Sequence, residues 1–252
     1  TLKIFNIKEY LDISSISDVP AGTGLGSSGT FLVGLINVIS SFQNKNLSRY
    51  ELANLACKIE MDILNEPSGK QDPFISSYGG LKVINIDKNG ATKTEDLIIS
   101  NDFNCELEES FLAYFTGYTR NSRNILGEQE KKTKKKNKEI ISSLDFVKDI
   151  ALETIEIFKK GSIKDYAELM NEHWKFKMKR SKDMSSSKIN SIIEYGLKNG
   201  AIGAKLVGAG GGGFILFITH DKLRLRSKMK DLKLQELNFN FDYDGSIIMG
   251  RN

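Results

Sequence analysis

At 252 residues, with 40% hydrophobic side chains, the chain can hold one large or two modest globular domains. Three prolines and 27% charged residues argue against global disorder, and a net charge of +4 (36 Lys+Arg against 32 Asp+Glu) gives no reason to expect a nucleic-acid or membrane partner. Cys57 and Cys105 are too few for a disulfide framework, and the two histidines, His173 and His220, lie far from both, so neither Cys/His zinc spacing nor His-centred chemistry is expected.

In chain order, Tyr10–Ile16 alternates apolar and polar residues and is predicted to be a strand. A glycine-rich turn, DVPAGTGLGSSG, follows. Ser27 to Phe42 is apolar almost all round and predicts a buried helix. Its apolar stretch near Phe31–Ile39, broken by Gly34 and Asn37, is far short of the roughly 20 residues of a membrane span. No secretory leader is visible, and a reducing cytoplasm is the expected compartment. Ser48-Arg-Tyr-Glu51 is a capping-box pattern that opens a second helix, running to about Leu64 and stopped by Asn65-Glu-Pro-Ser-Gly69.

Short strands are predicted at Gly80–Ile86, Asp96–Ser100 and Phe111–Gly117. Helix is predicted over 121–159, 163–179 and 186–199. Leu206–Gly213 reads as a strand running into glycines, Phe214–Thr219 as a strand and Asp221–Lys233 as an amphipathic helix; two short strands close the chain. Strands mixed with helices throughout give an α+β or α/β class. A domain boundary is placed near residue 104, in SNDFNCE, giving domains 1–104 and 105–252. The first carries net charge −3 and the second +7. KKTKKKNK (131–138) has six lysines in eight residues but no interleaved aromatics, so it reads as a solvated helix or loop rather than a nucleic-acid stripe.

The chemistry starts at the glycine-rich turn. Glycines let backbone N–H groups approach a ligand, and the first turn of the following helix attracts an anion. Ser27 and Ser28 add two hydroxyls beside it, so a nucleoside triphosphate is the natural guest. Both Gly24–Gly29 and Gly208–Gly213 match GxGxxG, which shows how weak that pattern is. A dinucleotide fold is rejected because a helix, not a strand, follows. No lysine makes the first turn a Walker A loop, and no HRD or DFG accompanies it. A plain tight turn before a capped helix stays open as the other reading.

PAGTGLGSSG resembles the second motif, P-x-x-x-G-L-G-S-S-A, of the GHMP kinases, and LVGAGGGGF (206–214) resembles their third, glycine-rich motif. EPSGKQDPFISSYGGL (66–81), TGYTRNSRNILGEQ (116–129) and NEHWKFKMKRS (171–181) are similar to the branch of that family acting on D-glycero-α-D-manno-heptose 7-phosphate. The resemblance covers about residue 10 to the end. It implies a two-domain fold of class α+β, with a ribosomal-protein-S5-like first domain and a ferredoxin-like second one. It implies phosphorylation of a sugar's anomeric hydroxyl by ATP with Mg²⁺, here giving a heptose 1,7-bisphosphate. The family's first motif has no counterpart in this sequence, so a truncated first domain is expected.

By the same resemblance, Gly22, Thr23, Gly24, Leu25, Gly26, Ser27, Ser28 and Gly29 cradle the β- and γ-phosphates. Ser28 and Glu60 take the metal-associated positions. Asp72 is the base, with Lys70 offsetting nearby negative charge. Arg120, Gln71, Gly210 and Gly211 fall on the substrate side. Pro73 departs from the branch, and a residue before proline is biased to extended backbone, so Asp72 is expected to be extended. His173-Trp174 reads mainly as helix packing. A fucokinase-like or galactokinase-like specificity, or a non-catalytic sugar- or nucleotide-binding module, are the rival functions.

Overall fold

The computed structural model describes residues 1–119, 126–127, 131, 133–135, 138–180 and 186–250. They form two compact units. The first takes Thr1–Ala21, Gly26–Asp96 and Phe241–Asn252; the second takes Gly22–Leu25 and Leu97–Asn240. Among the described residues no helix is long and apolar enough to cross a membrane.

In the first unit, α1 (Ser27–Phe42) and α2 (Arg49–Cys57) match the predicted helices. One face of α1, with Leu32, Val33, Ile36 and Ile39, is buried against Phe5, Leu52, Ala56 and Ile59. Full burial of a side chain such as Ile36 stabilises by about 1.5–3 kcal/mol. The helix is not buried all round: Phe31, Val38 and Phe42 are about half exposed.

The capping box at Ser48 is formed. Its hydroxyl accepts the Glu51 N–H at 3.3 Å, and the Glu51 carboxylate accepts the Ser48 N–H at 2.7 Å. Ser48→Ala is expected to cost about 1 kcal/mol and to lower the melting temperature by about 2–4 °C, read by a thermal melt.

α2 runs on into a π-turn, Lys58–Ile63, in which the Leu64 N–H reaches the Ile59 carbonyl at 2.9 Å. The helix stops at Asn65, with φ 52°. α3 (Gln71–Tyr78) follows, so Asp72 is helical rather than extended. The bias against helix before proline is overridden because Pro73 sits in the first turn, where its missing N–H has no helical partner to lose. β1 (Lys82–Ile86) and β2 (Thr92–Asp96) form an antiparallel hairpin. Its turn is tied by Asp87, whose Oδ1 accepts the Asn89 and Ala91 N–H groups at 2.8 Å.

Two strand predictions need correction here. Tyr10–Ile16 is irregular and its Tyr10 and Ile16 side chains lie in solvent; alternation makes a strand only where a partner edge supplies hydrogen bonds, and among the described residues none pairs with it. The strand placed at Asp96–Ser100 ends where it was expected to begin. The SNDFNCE stretch is the start of α4 (Asn101–Ser110), with Ser100 capping the Phe103 N–H at 3.2 Å. A short polar helix with one buried stripe (Phe103, Leu107) leaves little periodic signal.

The second unit holds β3 (Phe111–Phe115), α5 (Lys138–Lys160), α6 (Ile163–Arg180), α7 (Ser187–Lys198), β4 (Ala201–Leu206), β5 (Phe214–Thr219), α8 (Lys222–Met229) and β6 (Glu236–Leu237). Its sheet order is β4-β5-β3-β6, all antiparallel. From β3 onward the unit alternates as βαββαβ with a split central pair, the ferredoxin-like arrangement that was expected.

Leu112, Tyr114, Trp174, Ile189, Ile193, Leu206, Ile215, Phe217 and Met229 make the core. Trp174 is thus a packing residue, as read from the sequence. Gly203 lets α6 approach β4: a Cβ there would lie 2.9 Å from Ala167. The predicted strand Leu206–Gly213 is a loop after Leu206, because consecutive positive-φ glycines cannot hold a ladder. One two-residue strand, β6, replaces the two expected at the end; Arg226 and Tyr114 both bind the Glu236 carboxylate and hold it in place.

Candidate active site

In the first unit the site is built on the start of α1. Gly26, the residue before its first turn, has φ 70° and offers no side-chain cap, and the first turn holds no acidic residue. Four amides at such an end lack helical partners, and the helix dipole adds to their positive potential. Ser27 Oγ is buried there without a hydrogen-bond partner, whereas Ser28 is exposed. An orphaned hydroxyl beside an uncapped helix start is what an anion or a cation–phosphate pair would complete.

Asp72, in the first turn of α3, meets this end. A Cβ on Gly26 would lie 3.1 Å from Asp72 Cγ and 3.4 Å from Oδ2, so a side chain there would push the carboxylate back by a few tenths of an ångström. Gly29 gives the same clearance to Pro73, whose Cδ would lie 3.0 Å from its Cβ. Burial first, and then the charge of Glu60, push the Asp72 carboxyl above its ordinary value. Glu60 itself is 4% exposed, carried inward by the π-turn, and neither carboxylate has a side-chain hydrogen bond or ion pair among the described residues.

Two unpaired carboxylates and an orphaned hydroxyl suit Mg²⁺, which is held by one or two carboxylates together with substrate phosphates and water. No group of three or more His, Cys, Asp or Glu among the described residues forms a dedicated cage. Lys70 does not point its charge at this carboxylate pair through a hydrogen bond; its ammonium donates to the Gly90 carbonyl of the β1–β2 turn at 2.5 Å. The Gln71 side chain folds back over Gly69. Burial pushes the Cys57 thiol up to about 11, so it is no nucleophile.

In the second unit, Gly22–Leu25 packs on the loop Val207–Gly213. A Cβ on Gly24 would lie 3.0 Å from the Val207 carbonyl, and one on Gly213 would lie 2.0 Å from the Thr23 carbonyl. Thr23 is fully buried, while Gly22, Gly24 and Leu25 are exposed. Thr116 Oγ1 donates to the Gly213 carbonyl at 2.9 Å, and the Gly213 N–H to the Tyr118 carbonyl at 2.9 Å. Gly210 and Gly211 lie within this loop, both at positive φ. Arg120 lies outside the described residues, as does part of the lysine run 131–138. Thr116 and Lys177 were given no role from sequence: each sits in a quoted motif, but a threonine and a lysine that act through backbone carbonyls carry no pattern of their own.

Comparison with known proteins bears on both halves. The GHMP kinases N terminal domain matches residues 2–80, and the GHMP kinases C terminal domain matches 154–232. A D-glycero-alpha-D-manno-heptose 7-phosphate kinase of Campylobacter jejuni is 30% identical over 236 residues, covering 92% of this chain and 69% of the relative. A bifunctional fucokinase/GDP-fucose pyrophosphorylase of Arabidopsis thaliana is 25% identical, over 93% of this chain and 22% of its own length. The crystal structure of a D-glycero-D-manno-heptose 1-phosphate kinase from Bacteroides thetaiotaomicron superposes with a TM-score of 0.69 at 25% identity, over 90% of this chain; the chain spans 64% of that solved chain.

Proposed function

The chain belongs to the GHMP kinase family, and on that premise we propose that it is a sugar kinase transferring the γ-phosphoryl group of ATP to the anomeric hydroxyl of a heptose 7-phosphate. The observation that carries this reading is the uncapped start of α1, with its orphaned Ser27 hydroxyl and the Asp72 carboxylate set against Gly26. Phosphoryl transfer needs positioning and charge neutralisation more than covalent help. The amides of Gly22–Gly29 bind the phosphates. Ser27 or Ser28 and Glu60 would hold Mg²⁺, which would supply neutralisation of the triphosphate's charge.

Asp72 accepts the proton of the sugar hydroxyl as its oxygen bonds to the γ-phosphorus. The bond from that phosphorus to the β–γ bridging oxygen breaks, and ADP leaves. A carboxylate whose proton affinity is raised is a better base for this step than an ordinary one. Arg120, Gln71, Gly210 and Gly211 are assigned to the sugar phosphate, and Lys70 to local charge balance across Gly90.

The names of the heptose kinases above differ in the position of the phosphate they carry, and one relative is a fucokinase. The test is therefore a coupled ADP-release screen of the chain with heptose 7-phosphate, free heptose, fucose, galactose and mevalonate. Turnover on heptose 7-phosphate about tenfold or more above the others supports the proposal. Faster turnover on fucose or galactose overturns the substrate, and ATP binding with no turnover on any of them points to a non-catalytic binding module.

A further inference from the structure

The motif NEHWKFKMKRS has so far supplied only a core tryptophan. Its described part lies on α6, where Asn171, Trp174 and Lys177 recur every three residues and share one face. That face follows β4 into the glycine loop. Asn171 brackets Gly203: its Nδ2 donates to the Ile202 carbonyl at 2.8 Å, and its Oδ1 accepts the Ala204 N–H at 3.0 Å. Trp174 is packed in the same core as Leu206. Lys177 then reaches past the strand end, and its Nζ donates to the Gly208 carbonyl at 2.5 Å.

Gly208 is where the two glycine-rich segments come closest. It has φ 76°, and a Cβ there would lie 2.6 Å from Gly24 Cα and 2.8 Å from the Gly24 carbonyl oxygen. The peptide that Lys177 holds is thus the one that Gly24 packs against. Elsewhere the loop is anchored at its base by Val207 N–H to the Phe214 carbonyl at 2.9 Å, and at its far end by Thr116 and Tyr118 on Gly213. Between these anchors the chain is Gly-Ala-Gly-Gly-Gly-Gly, with almost no side chains to select a shape and a large backbone entropy to lose.

We propose that Lys177 is a positioning residue for nucleotide binding: by holding the Gly208 carbonyl it keeps Val207–Gly213 in the shape on which Gly22–Leu25 rests. The inference depends on the phosphate-loop reading of Gly22–Gly29. A charge-assisted hydrogen bond to a carbonyl fixes the orientation of that peptide plane more firmly than a neutral one. The function is paid in preorganisation, so its loss should appear in ATP affinity rather than in the chemical step.

The test uses the whole chain with Lys177→Met, which keeps the stem and removes the donor, and Lys177→Arg, which keeps a donor and the charge. Lys177→Gln, shorter and polar, guards against a packing defect from methionine. Two measurements are made: hydrogen exchange of the 208–213 amides without ligand, and titration with ATP in the presence of Mg²⁺. Both Met and Gln variants are expected to exchange about tenfold faster in that loop and to bind ATP about tenfold more weakly. In the coupled assay KM for ATP should rise by the same factor, with kcat within about twofold of wild type. Lys177→Arg should restore most of both. Wild-type binding with equally tight binding by Lys177→Met and Lys177→Gln overturns this inference alone. A wild-type chain that does not bind ATP overturns the phosphate-loop reading and the inference with it.

Discussion

Asp72→Asn is expected to cut turnover by about 10²-fold or more while leaving ATP affinity close to that of the wild type. The amide has nearly the shape of the carboxylate, so the close packing of this side chain on Gly26 and Gly29 survives. What disappears is the acceptor for the hydroxyl proton. The pH dependence separates this role from a purely structural one. Burial and the neighbouring Glu60 charge hold the Asp72 carboxyl above its ordinary 3.8. The acid limb of the wild-type kcat profile should therefore fall above the range of a free aspartate, and it should vanish in the variant.

Stability should move the other way. Because the folded chain binds this proton more tightly than the unfolded chain, the favourable contribution is complete below the ordinary pKa and is lost as pH rises through the raised native value. At neutral pH the ionised Asp72 works against folding, so Asp72→Asn should melt no lower than wild type. Steady-state kinetics, ATP titration and a thermal melt at pH 5 and pH 8 make the comparison. Undiminished turnover would remove Asp72 from the mechanism.

Gly213→Ala is expected to weaken ATP binding more than tenfold and to lower the melting temperature by several degrees. Its φ is 103°, and the added Cβ would sit 2.0 Å from the Thr23 carbonyl oxygen and 2.8 Å from its carbon. Both are backbone atoms, so no rotamer change relieves the clash. Strain of this kind costs about 1–3 kcal/mol before any displacement of the loop. Since Gly213 is also gripped by Thr116 and Tyr118, it cannot yield without pulling on β3; the Gly22–Leu25 segment must move instead. Gly34→Ala in α1 is the control. Nothing lies within 4 Å of a Cβ there, and alanine in a helix interior gains up to about 1 kcal/mol over glycine, so that variant should melt at or above wild type. Equal ATP affinity in Gly213→Ala and wild type would show that the Thr23–Gly213 contact does not shape the nucleotide site.

Elements with a strong local signal were readable in advance. The apolar run from Ser27 and the Ser48–Glu51 cap settle their own conformation through side-chain pattern and short-range hydrogen bonds, while FILFIT, rich in β-branched and aromatic residues, favours a strand that β3 and β4 then pair; each was found where expected. Elements whose state depends on a partner were not readable. Tyr10–Ile16 alternates like a strand but finds no edge among the described residues. The Asp72-Pro73 pair favours extended backbone locally, yet α3 packs on α2 through Phe74 and overrides it.

The functional reading divides in the same way. Residue types marked the glycine-rich turn and its two serines as a possible anion seat, and the quoted motifs carried the resemblance to the family that the matches over 2–80 and 154–232 show; the role of the GKQD segment rested on that resemblance. Folding decided which groups meet. It set the Asp72 carboxylate against Gly26, drew Glu60 inward on a π-turn, tied the Lys70 ammonium to the Gly90 carbonyl, and laid Gly24 on a peptide held by Lys177. Those relations join residues far apart along the chain through close backbone approach and desolvation, quantities that no local pattern encodes.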